Sequence, residues 1–144
     1  MFRQDIDAMK YFSIGGDSWK DSGCALSCVF YFAEMLKREY YTPRYAMIKS
    51  VEMKTVGAID KDFFVEWDNA FYELGIETET RFQDADYICR DGEYEILELE
   101  KPGYFHFVPG DGKSNYSWDS LGIRDAQKDY HVAGKRVFTV KGFV

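Results

Sequence analysis

Only three of the 144 residues are proline, and no stretch is rich in Ser and Gly or runs on a single sign of charge. That scarcity excludes long linkers and disordered tails. No window approaches the length of a membrane span without a charge, and Met1-Phe2-Arg3-Gln4-Asp5-Ile6-Asp7 has neither the apolar core nor the cleavage site of a signal peptide. The expectation is a soluble chain that starts in the cytoplasm and has no membrane partner, with export by another route left open. Cysteines number three, an odd count with no C-x-x-C pair. A disulfide framework is thereby disfavoured, and room is left for a free thiol. Basic residues are outnumbered 18 to 25, for a formal charge of −7. Duplex nucleic acid would be repelled on average, so nucleic-acid binding is not expected. No internal repeat is present.

What the chain does have is apolar and aromatic mass. Hydrophobic residues make up 46% and aromatic rings 18%. This suffices for one aromatic-rich core, with some rings left over to line a groove, and residues 1–144 are read as a single domain. Residues 1–23 look irregular, with a turn at Gly15-Gly16-Asp17. From Ala25 to about Arg38, Leu26, Val29, Phe30, Ala33 and Leu36 recur at helical spacing. Thr42-Pro43 then has the pattern of an N-cap and first helical residue for a second, shorter helix. A third is expected to be capped by Asp60, to present Phe63, Phe64, Trp67, Phe71 and Leu74, and to stop at Gly75. Beyond Gly75 the period changes to two. Strands are expected at Ile76–Thr80, Tyr87–Cys89, Tyr94–Glu100, Gly103–Val108, around Tyr116–Asp119, and at Arg136–Val140. Helices first and an antiparallel sheet second define an α+β chain.

Chemistry concentrates at two distant places. In Asp21-Ser22-Gly23-Cys24-Ala25-Leu26-Ser27-Cys28, Cys24 falls at a helix N-terminus, where the positive end of the macrodipole favours a thiolate. The unsatisfied amides of the first turn there are suited to hold an oxyanion, and Gly23 allows a tight backbone approach to substrate. Far downstream, His106 in Tyr104-Phe105-His106-Phe107-Val108 takes one face of a strand while Phe105 and Phe107 take the other. A strand imidazole is held rigidly enough to act as base and then as acid. The turn at Gly110-Asp111-Gly112-Lys113 folds Trp118-Asp119-Ser120 back beside that strand. Asp119 is therefore the best candidate to orient the imidazole, with Asn115 in reserve. Taken singly, each of these residues has a plainer reading: a buried thiol for Cys24, a core histidine for His106, a turn residue for Asp119. Their order and placement together point to a thiol hydrolase.

The remaining candidates read as packing or surface. Cys28 lies one turn along the same helix, past the reach of the dipole, and Cys89 sits in an alternating segment. His131 belongs to a polar loop before the last strand. Asn115-Tyr116-Ser117 matches a glycosylation acceptor by coincidence in a chain without a secretory signal. Cys24, Cys28 and His106 make a poor zinc set, because no second close ligand pair exists. No metal and no cofactor is expected.

The segments Asp21–Ser27, Gly103–Val108 and Trp118–Gly122 come in the order of nucleophile, base and orienting residue found in the papain-like cysteine peptidases. Over roughly residues 20–140 the chain resembles the bacterial and phage branch of that superfamily, which includes the double-glycine bacteriocin-processing peptidases. The resemblance implies a helix bearing the nucleophile packed on a C-terminal antiparallel sheet, with the groove at their junction. It implies Cys24 as nucleophile, His106 as general base and acid, and Asp119 as the orienting residue. The implied activity is a cysteine peptidase or amidase that cleaves a peptide or amide bond through an acyl-thioester, on a peptide, protein or peptidoglycan-peptide substrate. Such peptidases carry a glutamine shortly before the cysteine to complete the oxyanion hole. Asp17-Ser18-Trp19-Lys20-Asp21-Ser22 contains none, which leaves Gln4 as the candidate. The alternative reading is a catalytically inactive papain-like module that binds a protein partner.

Overall fold

The computed structural model describes residues 1–122 and 129–144, and shows four helices and a four-stranded antiparallel sheet. The helices are α1 (Trp19–Ser22), α2 (Cys24–Lys37), α3 (Pro43–Thr55) and α4 (Trp67–Glu73), followed by strands β1 (Ile76–Gln83), β2 (Glu93–Lys101), β3 (Tyr104–Pro109) and β4 (His131–Phe143). The sheet order is β1-β4-β2-β3, so the last strand lies between the first two and β3 forms an edge.

Helix α2 is the centre of the molecule. Nine of its residues, from Cys24 to Ala33, are buried, the signature of a helix covered on nearly all sides rather than on one stripe. It packs against β3 and α4. Its Phe32 meets Phe138 of β4 edge-on at 5.1 Å between ring centroids, and Phe71 of α4 lies 4.6 Å from the same ring. The aromatic core expected from composition is thus built where α2 and α4 cover the sheet. On the opposite face a small second cluster joins Leu97, Leu99 and Val108.

Local chemistry explains the element boundaries. Thr42 Oγ1 accepts from the Tyr45 N–H with Pro43 at the first helical position, as its pattern required. The β2–β3 connection is the two-residue turn Pro102-Gly103, closed by the Lys101–Tyr104 pair. Gly103 adopts φ +80°, the conformation this turn demands at its second central residue.

Five expectations need correction. The helix anticipated from Asp60 begins only at Trp67, because Asp60 Oδ1 accepts from the Asp62 and Phe64 amides and closes a local turn. Tyr87–Cys89 is not a strand. The region from Tyr116 to Asp119 makes only an isolated bridge, Gly110 to Tyr116. The last strand starts at His131, so that histidine is a strand residue rather than part of a loop. A short helix, α1, also occupies part of the supposedly irregular N-terminal segment.

Candidate active site

Cys24 is the first residue of α2. Gly23, its N-cap, sits at the junction with α1 and donates its N–H to the Trp19 carbonyl at 2.7 Å. A Cβ at Gly23 would stand 2.4 Å from that carbonyl oxygen and 2.9 Å from the Trp19 ring. Glycine is therefore required here by the approach of Trp19 and not, as the sequence suggested, by the approach of a substrate. The close turn fixes where the helix starts and hence where the sulfur lies. Among the described residues the Cys24 and Ala25 amides have no backbone acceptor, as expected for a first helical turn.

His106 comes from the edge strand that α2 packs against. Its Nε2 is 2.9 Å from Asp119 Oδ1, and the Cys24 side chain lies near enough to the ring to raise its pKa. With Nε2 taken by the carboxylate, Nδ1 is the nitrogen left to serve the sulfur. Cys24, His106 and Asp119 are all buried, 7%, 6% and 8% exposed respectively. Burial alone would disfavour the imidazolium. The hydrogen bond to Asp119 and the nearby Cys24 side chain, with the electrostatic attraction of both, outweigh it and lift the His106 pKa to about 9.

Asp119 is held by its own loop. The same Oδ1 accepts from the Leu121 N–H at 2.9 Å, and the Asp119 carbonyl accepts from Gly122 N–H. The loop is anchored at Trp118, whose ring stacks on Tyr31 of α2 at 5.4 Å, and at Ser117, whose N–H donates to the Pro109 carbonyl at the end of β3. Asn115, the reserve candidate, is exposed and donates to Asp111 within the preceding turn.

Gln4 is buried at 1% exposure, but its carboxamide is committed elsewhere. Nε2 donates to the Trp19 and Lys20 carbonyls at 3.0 and 2.6 Å, and Oε1 accepts from Ser120 Oγ at 2.6 Å. The Gln4 backbone N–H donates to the Ser120 carbonyl as well. Both amide hydrogens are therefore used, and this geometry gives Gln4 no donor for an oxyanion. The residue is a clasp instead, tying α1 on the nucleophile side to the loop that carries Asp119. Sequence reasoning missed that role, and the separation of 116 residues between Gln4 and Ser120 leaves no local pattern to find it by.

The other thiols differ in surroundings. Cys28 is fully buried, and its pKa is pushed well above the usual thiol range by that burial first and by Cys24 and Asp119 next. Cys89 is pushed up to about 11, by burial and then by the Glu95 carboxylate beside it. His131 is exposed, 3.9 Å from Glu100. Among the described residues no group of three or more His, Cys, Asp or Glu side chains is placed to hold a metal ion, and no helix is long and apolar enough to cross a membrane.

A cleft of about 240 Å³ opens at Cys24, walled by Phe64, Tyr104 and Phe105. Fold and site together define an α+β protein with a buried cysteine–histidine–aspartate constellation beside an open cleft. Residues 17–140 match the family described as "Protein of unknown function, DUF261", and the chain belongs to that family. Comparison with curated proteins and with solved structures finds no match.

Proposed function

We propose that this protein is a papain-like cysteine hydrolase that cleaves a peptide or amide bond. The observation that carries the reading is the convergence of three elements at the mouth of a cleft, where the buried His106 is hydrogen-bonded to Asp119 and has the Cys24 side chain near enough to act on its protonation. His106, with its pKa near 9, holds a proton at neutral pH. In the proposed cycle that proton is the one taken from the thiol. Sγ attacks the carbonyl carbon, and the oxyanion is met by the unsatisfied amides at the start of α2. His106 then passes its proton to the leaving amine, which departs as the acyl-thioester forms. Water, deprotonated by His106, releases the acid and regenerates the thiol. Asp119 keeps the ring oriented and stabilises its charge throughout.

The substrate class is a peptide, a protein or a peptidoglycan peptide. A bacterial or phage setting and a cytoplasmic origin remain parts of the proposal. A second reading, a binding module that keeps the scaffold without the reaction, draws on Gln4: its committed carboxamide leaves the oxyanion to backbone amides alone among the residues named here.

The test is incubation with peptide mixtures and peptidoglycan stem peptides, followed by mass spectrometry for new amine termini. Hydrolysis lost in Cys24→Ala and in His106→Ala supports the enzyme. Hydrolysis that survives Cys24→Ala overturns the assigned nucleophile.

A further inference from the structure

The cleft at Cys24 has a chemical character of its own. Three aromatic side chains on its walls, Phe64, Tyr104 and Phe105, are each more than half exposed. An exposed aromatic cluster at one place marks a surface that a ligand covers. Two carboxylates, Asp17 and Asp21, stand among these rings, and no lysine or arginine of the described residues lines the cleft. Asp17 accepts from Ser22 Oγ at 2.7 Å, whereas the Asp21 carboxylate has no hydrogen-bond or ion-pair partner among the described residues.

The aromatic wall continues beyond the cleft. Phe64, Phe105 and Phe107 also border a second hollow of about 350 Å³, which contains Glu98, Glu100 and Arg136. Among the described residues the one cation lining it, Arg136, is already engaged, paired with Glu98 at 3.4 Å and lying over the Phe82 ring at 4.0 Å. An aromatic trough thus runs past the sulfur on a molecule whose formal charge is −7, with Asp17 and Asp21 at one end and, at the other, two carboxylates against the Arg136 guanidinium, while the Lys101 ammonium lies 5.4 Å from the Tyr104 ring centroid. Carboxylates set among aromatic faces attract ammonium and guanidinium groups through both ion pairing and cation–π contact. A neutral or acidic side chain gains neither.

We propose that this trough seats a peptide carrying a basic side chain, lysine-like or arginine-like, in the Asp17–Asp21 cleft next to the carbonyl that Cys24 attacks. This assignment of substrate class rests on the hydrolase reading above. Seating an extended peptide across the aromatic wall places the cationic group between the two carboxylates.

The experiment uses two peptidyl chloromethyl ketones that differ only in lysine against norleucine at the position bearing the ketone. In each, Sγ of Cys24 forms a bond to the methylene carbon and chloride leaves. Rates of labelling are read by intact mass, with the adduct mapped to its cysteine. The lysine probe is expected to label Cys24 at least fivefold faster at low salt. That advantage should shrink in 0.5 M NaCl, disappear in Asp21→Asn and reverse in Asp21→Lys. Equal rates for the two probes overturn the proposal, as does a lysine preference that survives both Asp21 substitutions. Iodoacetamide, which carries no side chain, separates the two levels of inference. If it selects Cys24 while the ketones show no difference, only the basic-substrate assignment falls. If neither iodoacetamide nor the ketones select Cys24, the hydrolase reading falls and takes this one with it.

Discussion

The His106 imidazole and the Asp119 carboxylate lie 2.9 Å apart, both buried, in a structure where Asp119 also accepts the Leu121 amide. A carboxylate held by its own loop cannot turn away from the ring without losing that second bond. The pair is therefore a fixed unit, and its titration is coupled to folding.

The first prediction follows from that coupling. His106 has a folded-state pKa of about 9 against an ordinary 6.5, so the folded protein binds its proton more tightly than the unfolded chain does. The resulting stabilisation is fully present below about pH 6.5 and is lost as pH rises through 9. It amounts to about 3 kcal/mol at most. Urea denaturation at pH 6, 7.5 and 9 should show the fall in the natural protein and a much smaller one in Asp119→Asn.

Gly23→Ala tests the junction that sets the nucleophile. The added methyl would press on a backbone carbonyl 2.4 Å away, which cannot yield as a flexible side chain would. We expect a loss of about 1–3 kcal/mol, typical of overpacking, and slower alkylation of Cys24 as the start of α2 is displaced. Urea midpoints and labelling rates measure the two effects.

For Gln4 the clasp and oxyanion roles give opposite results. Gln4→Leu strands the Lys20 carbonyl and the Ser120 hydroxyl and leaves the Trp19 carbonyl with the Gly23 amide alone, an expected cost of about 1–3 kcal/mol of stability. A residue serving only an oxyanion would leave the urea midpoint unchanged, so that result would restore the role first suggested by the sequence.

Away from the site, Lys135 and Glu95 form an ion pair with both side chains fully buried at 2.8 Å. Glu95 also accepts the Gly112 and Ser114 amides, and Lys135 donates to the Tyr87 carbonyl. Lys135→Met leaves that carboxylate buried without its cation, which should cost about 3–5 kcal/mol. Thermal denaturation would show it, and a neutral outcome would mean that the carboxylate had found water.

The legible parts of this molecule were those encoded locally. The periodicity of Leu26, Val29, Phe30 and Ala33 marked α2, Thr42-Pro43 marked the start of α3, and the change of period at Gly75 marked the start of the strands. Cys24, His106 and Asp119 were each visible as residue types in suggestive places, and the structure brings the three together. What was not legible depends on contacts remote in sequence or on side chains competing with the backbone. Asp60 is ambiguous in sequence because its carboxylate caps a turn as readily as it caps a helix. The turn holding Asp111 and Asn115 is organised by Glu95 from another strand, and Gln4 is defined by partners at both ends of the chain. No periodicity reports such bonds.

The most direct test of the central claim is competition among the three thiols for iodoacetamide at neutral pH, with each adduct mapped by mass spectrometry. Cys28 is buried and Cys89 is held up at about 11, whereas Cys24 faces His106 and an open cleft. The account predicts a single early adduct on Cys24, slowed at least tenfold by His106→Ala. A Cys24 that reacts no faster than Cys89, with or without His106, would contradict it.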